Sequence, residues 1–248
     1  MRIVFPESKN PIIQQAIEQC PEVKPVYAEN IKAGVELVSH GEADAIVAGI
    51  DCPTREFILA CKDTDLFDGK YFTSSFVMKK DDQTLILADC GVCKKINFEI
   101  LTEIILQTYQ TALKVLEETP KIAMLSFSTL GSGGNDESID LIHDVLKNIH
   151  ENYPEIIIDG EMQLDAAVNQ RIANKKIPNS EVAGNANVLI CPNLNTGNIL
   201  YKGLEQLGGW TAAGPIMQGF KKPISDLSRG SSVEDVIETI KTIIKLGA

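Results

Sequence analysis

The sequence predicts an α/β fold built on a mixed sheet. Short apolar runs rich in β-branched residues, such as Ile122–Phe127 and Val188–Cys191, lack the polar alternation of half-exposed strands and are typical of parallel strands covered on both faces. Longer amphipathic stretches separate these runs, as crossover helices do. Two further strand-like runs flank the polar turn at residues 80–83, which indicates a hairpin and therefore an antiparallel pair. A chain of 248 residues can hold one large domain or two lobes with a cleft between them.

The individual elements follow from these patterns. Strands are predicted at Arg2–Phe5, Ala45–Ala48, Phe72–Lys79, Thr84–Ala88, Ile122–Phe127, Ile156–Asp159 and Val188–Cys191. Helices are predicted at Asn10–Cys20, Ile31–His40, Asn97–Glu118, Glu137–Asn152, Gln163–Asn174, Gly197–Leu207 and Val233–Leu246. The clearest helical pattern covers Phe98–Leu116, where apolar residues recur at helical spacing.

Charge and hydropathy restrict the function classes. The formal net charge is −11, which disfavours general binding to nucleic acid because the phosphate backbone would be repelled. No run approaches the roughly 18 apolar residues that span a bilayer, and Met1–Glu7 lacks the apolar core of a signal peptide. We therefore expect a cytoplasmic protein without a membrane partner.

The six cysteines do not predict a chemical site. Cys90 and Cys93 have the spacing of a redox or metal motif, but no second cysteine pair or histidine cluster accompanies them. We expect structural or incidental thiols and no bound metal.

The first candidate binding segment is the loop after the strand that begins at Ile122. Residues 126–134 read Ser-Phe-Ser-Thr-Leu-Gly-Ser-Gly-Gly. Glycines at the carboxyl end of a parallel strand let backbone N–H groups and hydroxyls approach an anion such as phosphate. The alternative is a flexible turn with a serine cap for the next helix.

Two further segments could meet anions. Residues 192–198, Pro-Asn-Leu-Asn-Thr-Gly-Asn, follow another buried strand and lead to Lys202, although Asn and Thr there could equally be helix caps. Downstream, Lys221, Lys222 and Arg229 cluster within nine residues of an acidic chain. Asp235 then follows Ser232 in a capping-box pattern, so it is either a helix-start carboxylate or a general base close to Arg229.

Taken together and in this order, these segments resemble the phosphate acetyltransferases. The resemblance runs from about Ala88 to Ala248. Its motifs are Lys121–Thr129, Asp159–Ala167, Val182–Ile190, Asn195–Asn198 and Gly214–Gly230, the last of which contains Asp-Leu-Ser-Arg-Gly at 226–230.

The resemblance implies two three-layer α/β/α lobes with mixed sheets, of the isocitrate/isopropylmalate dehydrogenase-like type. The first lobe would comprise residues 1–75 plus 226–248 and the second residues 76–225. It also implies a homodimer, with acetyl-CoA/CoA and phosphate as substrates. Acetyl transfer would proceed directly in a ternary complex, with coenzyme A as co-substrate and no bound cofactor.

Site residues are carried over by the same resemblance. The family assigns catalysis to the Ser and Arg of the Leu-Ser-Arg-Gly motif and to an Asp six residues beyond, here Ser228, Arg229 and Asp235. Binding of phosphate or acyl phosphate is expected at Ser126, Ser128, Thr129, Gly131, Ser132 and Arg55. Binding of coenzyme A is expected at Asn195, Thr196, Asn198 and Lys202.

The chain departs from the family pattern in its first lobe. A substantial segment between the first helix and the strand Ala45–Ala48 is largely absent, and it contained one of the family's arginines. Leu59 stands roughly where the family has another arginine, and Arg55 lies one helical turn earlier. Arg55 is therefore either a substitute or a surface residue.

Two alternatives to a phosphate acetyltransferase follow. One is a related acyltransferase for a longer, butyryl-like group, although the form of residues 226–230 favours acetyl. The other is a non-catalytic relative that binds CoA or acyl phosphate, which the departures around Leu59 motivate.

Overall fold

The computed structural model describes residues 1–62 and 64–248, in which a ten-stranded mixed sheet lies between two layers of helices. The predicted α/β class with a mixed sheet is confirmed. The strands are β1 (Arg2–Phe5), β2 (Lys24–Tyr27), β3 (Ala45–Ala48), β4 (Thr73–Lys80), β5 (Gln83–Ala88), β6 (Lys121–Leu125), β7 (Ile157–Met162), β8 (Val188–Ile190), β9 (Thr211–Gln218) and β10 (Ile224–Asp226). The helices are α1 (Pro11–Glu18), α2 (Ile31–Ser39), α3 (Thr54–Lys62), α4 (Phe98–Val115), α5 (Glu137–Asn152), α6 (Leu164–Val168), α7 (Gln170–Lys176), α8 (Leu194–Gly208) and α9 (Val233–Gly247).

The sheet consists of two parallel blocks joined by antiparallel strands. Its strand order is β2-β1-β3-β10-β9-β4-β5-β8-β6-β7. The first four strands are mutually parallel, as are the last four, whereas β9 and β4 are antiparallel to their neighbours. The predicted hairpin is β4–β5, which pairs from Ser75↔Ala88 to Lys80↔Gln83.

Four clusters of buried side chains lie two on each face of the sheet. In the first block, α1 and α9 cover a cluster around Phe5, while α2 and α3 cover one around Phe57. In the second block, α4 and α5 cover a cluster around Leu101, and α6 to α8 cover one around Tyr201. Helices α9 and α4 lie on the same face, where the Lys114 ammonium donates to the carbonyl of Leu246.

The sequence patterns missed three strands, β2, β9 and β10. The segment from Gly214 onward, which the sequence suggests as a binding segment, contains five of the eight residues of β9 and all of β10. Gly214 and Pro215 obscured the strand because both residues are unusual in strand interiors. The predicted helix Gln163–Asn174 is two helices, because the Asn169 side chain accepts from the N–H groups of residues 171 and 172 and caps α7.

This topology brings the carboxyl ends of both blocks to one row across the sheet. The row runs Ser225↔Ile216, Ile216↔Ser75 and Ser75↔Ala88, and then continues to Ile190 of β8. The strands of the first block run towards this row from one side, and those of the second block run towards it from the other. We call this row of residues between the two blocks the waist of the sheet. The turns that follow β10, β5 and β8 therefore all start at the waist.

The division of the chain into two lobes stays a prediction. The proposed boundary at residue 226 falls on the last residue of β10, a strand that pairs with β3 of the first block. Among the residues described here, no helix is both long and apolar enough to cross a membrane.

Candidate active site

The turn after β10 places Ser228 and Arg229 at the waist. The Leu227 N–H donates to the carbonyl of Ala48 (2.5 Å), and the Ser231 N–H donates to the carbonyl of Ser228 (2.9 Å). Leu227 is buried and anchors the turn, whereas the Arg229 side chain is exposed. Within the described part of the chain, Arg229 takes part in no ion pair. Its guanidinium can therefore bind an anionic ligand in a bidentate geometry, through two parallel hydrogen bonds.

Asp235 forms a complete capping box at the start of α9. One carboxylate oxygen accepts from the N–H (2.8 Å) and the hydroxyl (2.7 Å) of Ser232. The other accepts from the N–H of Ala212 in β9 (2.9 Å). A carboxylate offers about four lone-pair sites, so three are filled and one accepts from no residue that the structure describes, on a residue that is 6% exposed.

The basic cluster expected from the sequence does not exist in space. Lys221 and Lys222 lie in the β9–β10 turn, whereas Arg229 follows the opposite end of β10. The Nζ atom of Lys221 lies 3.9 Å from a carboxylate oxygen of Asp65, a residue of the segment between α3 and β4. Only Arg229 of the three lies in the turn at the waist, because the intervening residues form a strand instead of a loop.

Arg55 and Leu59 lie one turn apart on α3. Arg55 is exposed in the first turn, and Leu59 has 48% of its surface exposed. An exposed leucine makes little contribution to the core, so the position could accept an arginine without a change in packing.

The loop after β6 is held by an internal carboxylate, that of Glu161. This buried side chain accepts from the Ser128 hydroxyl (2.7 Å) and the Gly131 N–H (2.8 Å) through one oxygen. Its other oxygen lies 2.7 Å from Nε2 of His143. Burial raises the pKa of Glu161, but the bonds from Gly131, Ser128 and His143 outweigh it and hold that pKa below its usual value. Sequence reasoning missed both Glu161 and His143.

The other hydroxyls of this loop mostly accept hydrogen bonds. Ser126 accepts from the N–H of Ser128, Ser132 from that of Thr129, and Thr129 from that of Gln163. The Ser126 and Thr129 hydroxyls donate to no residue that the structure describes, and the Ser132 hydroxyl lies 3.5 Å from that of Ser128. Ser128 and Gly131 donate to Glu161.

We expect Glu161→Gln to lower the free energy of unfolding by about 2–4 kcal/mol at neutral pH, because the buried Ser128 hydroxyl, the Gly131 N–H and His143 lose a charged acceptor. The deficit should shrink as pH falls below the unfolded value of 4.5, where a group with a depressed folded pKa loses its contribution. Urea denaturation at several pH values measures this. Glu151→Gln on the exposed face of α5 is the matched control, and equal midpoints for the two variants would contradict the prediction.

The start of α8 carries the residues expected to bind coenzyme A. The Asn193 side chain caps the helix by accepting from the N–H (2.9 Å) and the hydroxyl (3.1 Å) of Thr196. Asn198 donates to the carbonyl of Cys90 (3.1 Å). Asn195 and Lys202 are exposed. Thr196 and Asn198 therefore support the helix start, and the other two are free to contact a ligand.

All six cysteines are buried and unpaired. Burial raises the pKa of Cys93, so this thiol stays protonated and unreactive. Among the residues that the structure covers, no three His, Cys, Asp or Glu side chains are grouped closely enough to hold a metal ion.

Comparison with known proteins places this geometry in a family. The sequence model of the family described as "Phosphate acetyl/butaryl transferase" matches residues 19–244. The phosphate acetyltransferase of Bacillus subtilis is 40% identical over 205 residues, which are 82% of this chain. The chain spans 39%, 63% and 48% of the length of three curated relatives, all named phosphate acetyltransferase.

Solved structures agree with this result. The phosphotransacetylase of Streptococcus pyogenes superposes with a TM-score of 0.85 at 29% identity, covering 100% of this chain and 93% of that one. A 4-hydroxythreonine-4-phosphate dehydrogenase of Salmonella typhimurium has a TM-score of 0.56 at 14% identity, over 88% of this chain and 69% of that one. The second match shows a shared fold alone and confirms the dehydrogenase-like architecture.

Proposed function

Because this chain belongs to the phosphate acetyl/butaryl transferase family, we propose that it transfers an acetyl group between coenzyme A and inorganic phosphate. The observation that carries the proposal is the Ser228–Arg229 turn at the waist, where a guanidinium that has no ion-pair partner among the described residues stands in a chain of net charge −11. A phosphate group is the substrate part that such a guanidinium recognises best.

The reaction needs a proton acceptor and charge stabilisation. In one direction the CoA sulfur bonds to the carbonyl carbon of acetyl phosphate, and the bond from that carbon to the phosphate oxygen breaks. A free thiol has a pKa of about 8.5 and is mostly protonated at neutral pH, so a base has to take its proton. We assign that role to Asp235, through its remaining lone pair, and the proton then leaves with phosphate.

Arg229 and Ser228 act on the other charges. Arg229 would hold the phosphate and balance the negative charge that develops as the tetrahedral centre forms. Ser228, half-buried beside it, would donate its hydroxyl to the thiolate or the acyl oxygen. Both residues come from one turn, so a single loop conformation positions them together.

The second block would bind the remaining parts of the substrates. Exposed Asn195 and Lys202 on α8 would contact coenzyme A, with Thr196 and Asn198 supporting the helix start. Ser126, Thr129 and Ser132 would donate their hydroxyls to acyl phosphate, whereas Ser128 and Gly131 shape the loop through Glu161. Arg55, at the start of α3, would approach from the first block.

The test is thioester formation from CoA and acetyl phosphate by the purified protein, with a chelator present and no added metal. We expect acetyl-CoA to form, and acetyl phosphate to be used better than butyryl phosphate. Absence of turnover by folded protein that still binds CoA would contradict the proposal and favour a non-catalytic relative. Faster turnover of butyryl phosphate would favour the longer-chain alternative. A homodimer stays a prediction of the family resemblance, and a cytoplasmic location stays a prediction of the sequence pattern.

A further inference from the structure

Asp226, the last residue of β10, has a buried carboxyl group without a hydrogen-bond partner among residues 1–62 and 64–248. Only 1% of the residue is exposed, and neither oxygen accepts a hydrogen bond from any residue that the structure describes. Buried polar groups are nearly always satisfied, so an unpaired carboxyl group in a core needs a physical explanation. The proposed function uses Ser228 and Arg229 of the same motif and leaves this side chain without a role.

The carboxyl group of Asp226 lies against the turn that follows β3. Gly49 adopts φ +108°, and a Cβ there would come within 2.2 Å of Oδ1 of Asp226. Strands β10 and β3 are paired at Asp226↔Ala48, and the Leu227 N–H donates the next hydrogen bond to the Ala48 carbonyl. The side chain therefore separates the β3–α3 turn from the turn that carries Ser228 and Arg229.

The groups that face Asp226 do not neutralise a negative charge. Glu7, from the β1–α1 turn, is already held by the N–H groups of residues 49–51 and adds a second negative charge. From the α3 segment, the Cys52 and Cys61 thiols face the group, and both have raised pKa values, chiefly through burial and in part through Asp226. The sheet neighbour Ala48 is apolar.

An ionised carboxylate at this place would be unfavourable, because none of the described residues donates a hydrogen bond that would replace its hydration. Burial therefore favours the neutral form of Asp226 in the folded protein. Burial first, and Glu7 second, raise the pKa of Asp226 to about 7, while the Thr54 hydroxyl opposes the rise without reaching hydrogen-bond geometry.

We propose that Asp226 is a positioning residue whose carboxyl group, in its neutral form, holds the Ser228–Arg229 turn against the β3–α3 turn. Ionisation of Asp226 would draw donors or water towards its oxygens and displace the contact with Gly49. The two catalytic side chains follow within three residues on the same turn, so they would move with it. The expected effect on turnover rests on the proposed function, whereas the protonation state of Asp226 does not depend on that function.

The first test compares pH profiles of kcat/KM for acetyl phosphate. Asn has the size of a neutral Asp and cannot ionise, so Asp226→Asn should lie within about threefold of wild type at pH 6. At pH 8.5 roughly one in 30 wild-type molecules would have a neutral Asp226. The kcat/KM of the variant should therefore exceed that of wild type by about tenfold or more at this pH. Asp140→Asn on the exposed face of α5 is the matched control, with an unchanged profile.

Two kinetic results would overturn the inference. An Asn variant whose profile parallels that of wild type would show that ionisation of Asp226 does not govern the turn. A loss of at least 10²-fold at every pH would assign Asp226 to proton transfer instead of positioning.

The second test needs no turnover. Unfolded Asp ionises near 3.8, whereas folded Asp226 keeps its proton to about 7, so the folded state binds more protons between these values. The stability of wild type should therefore fall relative to Asp226→Asn as pH rises from about 4 to 7, and the difference should stay constant above that range. A difference that does not depend on pH would overturn the neutral carboxyl group even if the protein proves to be an active transferase.

A third measurement covers the case in which Asp226→Asn does not fold. Carbon NMR of wild type with labelled Asp carboxyl groups should show one resonance that titrates near pH 7. If every Asp resonance titrates below pH 5, Asp226 is ionised in the folded protein and the inference is wrong. If one Asp resonance titrates near pH 7 but the wild-type protein shows no turnover, the result would count against the proposed function and not against the neutral carboxyl group.

Discussion

Arg229→Ala should lower kcat/KM for acetyl phosphate by at least about 10²-fold, the loss typical of a charge contact made in the transition state. The guanidinium is exposed at the waist and has no ion-pair partner within the described chain, so its removal leaves no orphaned carboxylate in the protein. Thermal stability should therefore change little. The effect is expected to be large because Leu59 stands roughly where the family resemblance implies an arginine, so Arg229 would bear more of the phosphate charge.

Two further variants sharpen this test. Arg229→Lys should recover only part of the activity, because an ammonium lacks the planar fork of a guanidinium. Arg171→Ala removes the same exposed group from α7, away from the waist, and should leave turnover unchanged. Near-normal activity of Arg229→Ala, with Arg171→Ala as reference, would remove Arg229 from the site.

The parts of the fold that were predictable have strong local signals. Helix α4 has an apolar face at helical spacing and an Asn97 cap that accepts from the N–H of Ile100. The β4–β5 hairpin follows from two apolar runs around a polar turn. Strand β9 was not predictable, because its central role depends on pairing with β4 and β10, and these partners are distant in sequence.

The site shows the same division between local and long-range signals. The sequence predicted that the loops after β6 and β8 lie at the carboxyl ends of buried strands, and the structure places both loops there. The sequence could not predict that Glu161 accepts from the Ser128 hydroxyl and the Gly131 N–H, two donors expected to bind an anion, because Glu161 lies 33 residues from Ser128. Its sequence neighbours gave no sign that its side chain points at that loop. The lack of donors around Asp226 among the described residues was equally unpredictable, because it depends on the packing of the β3–α3 turn, which lies far from Asp226 in sequence.

Asp235→Asn should lower kcat by about 10²-fold or more and the free energy of unfolding by about 2–3 kcal/mol. The amide can still accept from the Ala212 N–H, but its nitrogen cannot accept from Ser232, so part of the capping box is lost. It also cannot take the thiol proton. Stopped-assay kinetics at a temperature where the variant is folded, together with urea denaturation, measure both losses.

Ser232→Ala separates the two roles of Asp235. This variant removes the hydroxyl that caps α9 but leaves the carboxylate with the N–H groups of Ala212 and Ser232. Loss of an N-cap costs about 1 kcal/mol, so stability should fall modestly while kcat stays within a few-fold of wild type. If both variants lose kcat in proportion to their loss of stability, Asp235 acts only as a cap and the thiol proton has another acceptor. If only Asp235→Asn loses kcat, the lone pair left free by the capping box is the one that the reaction uses.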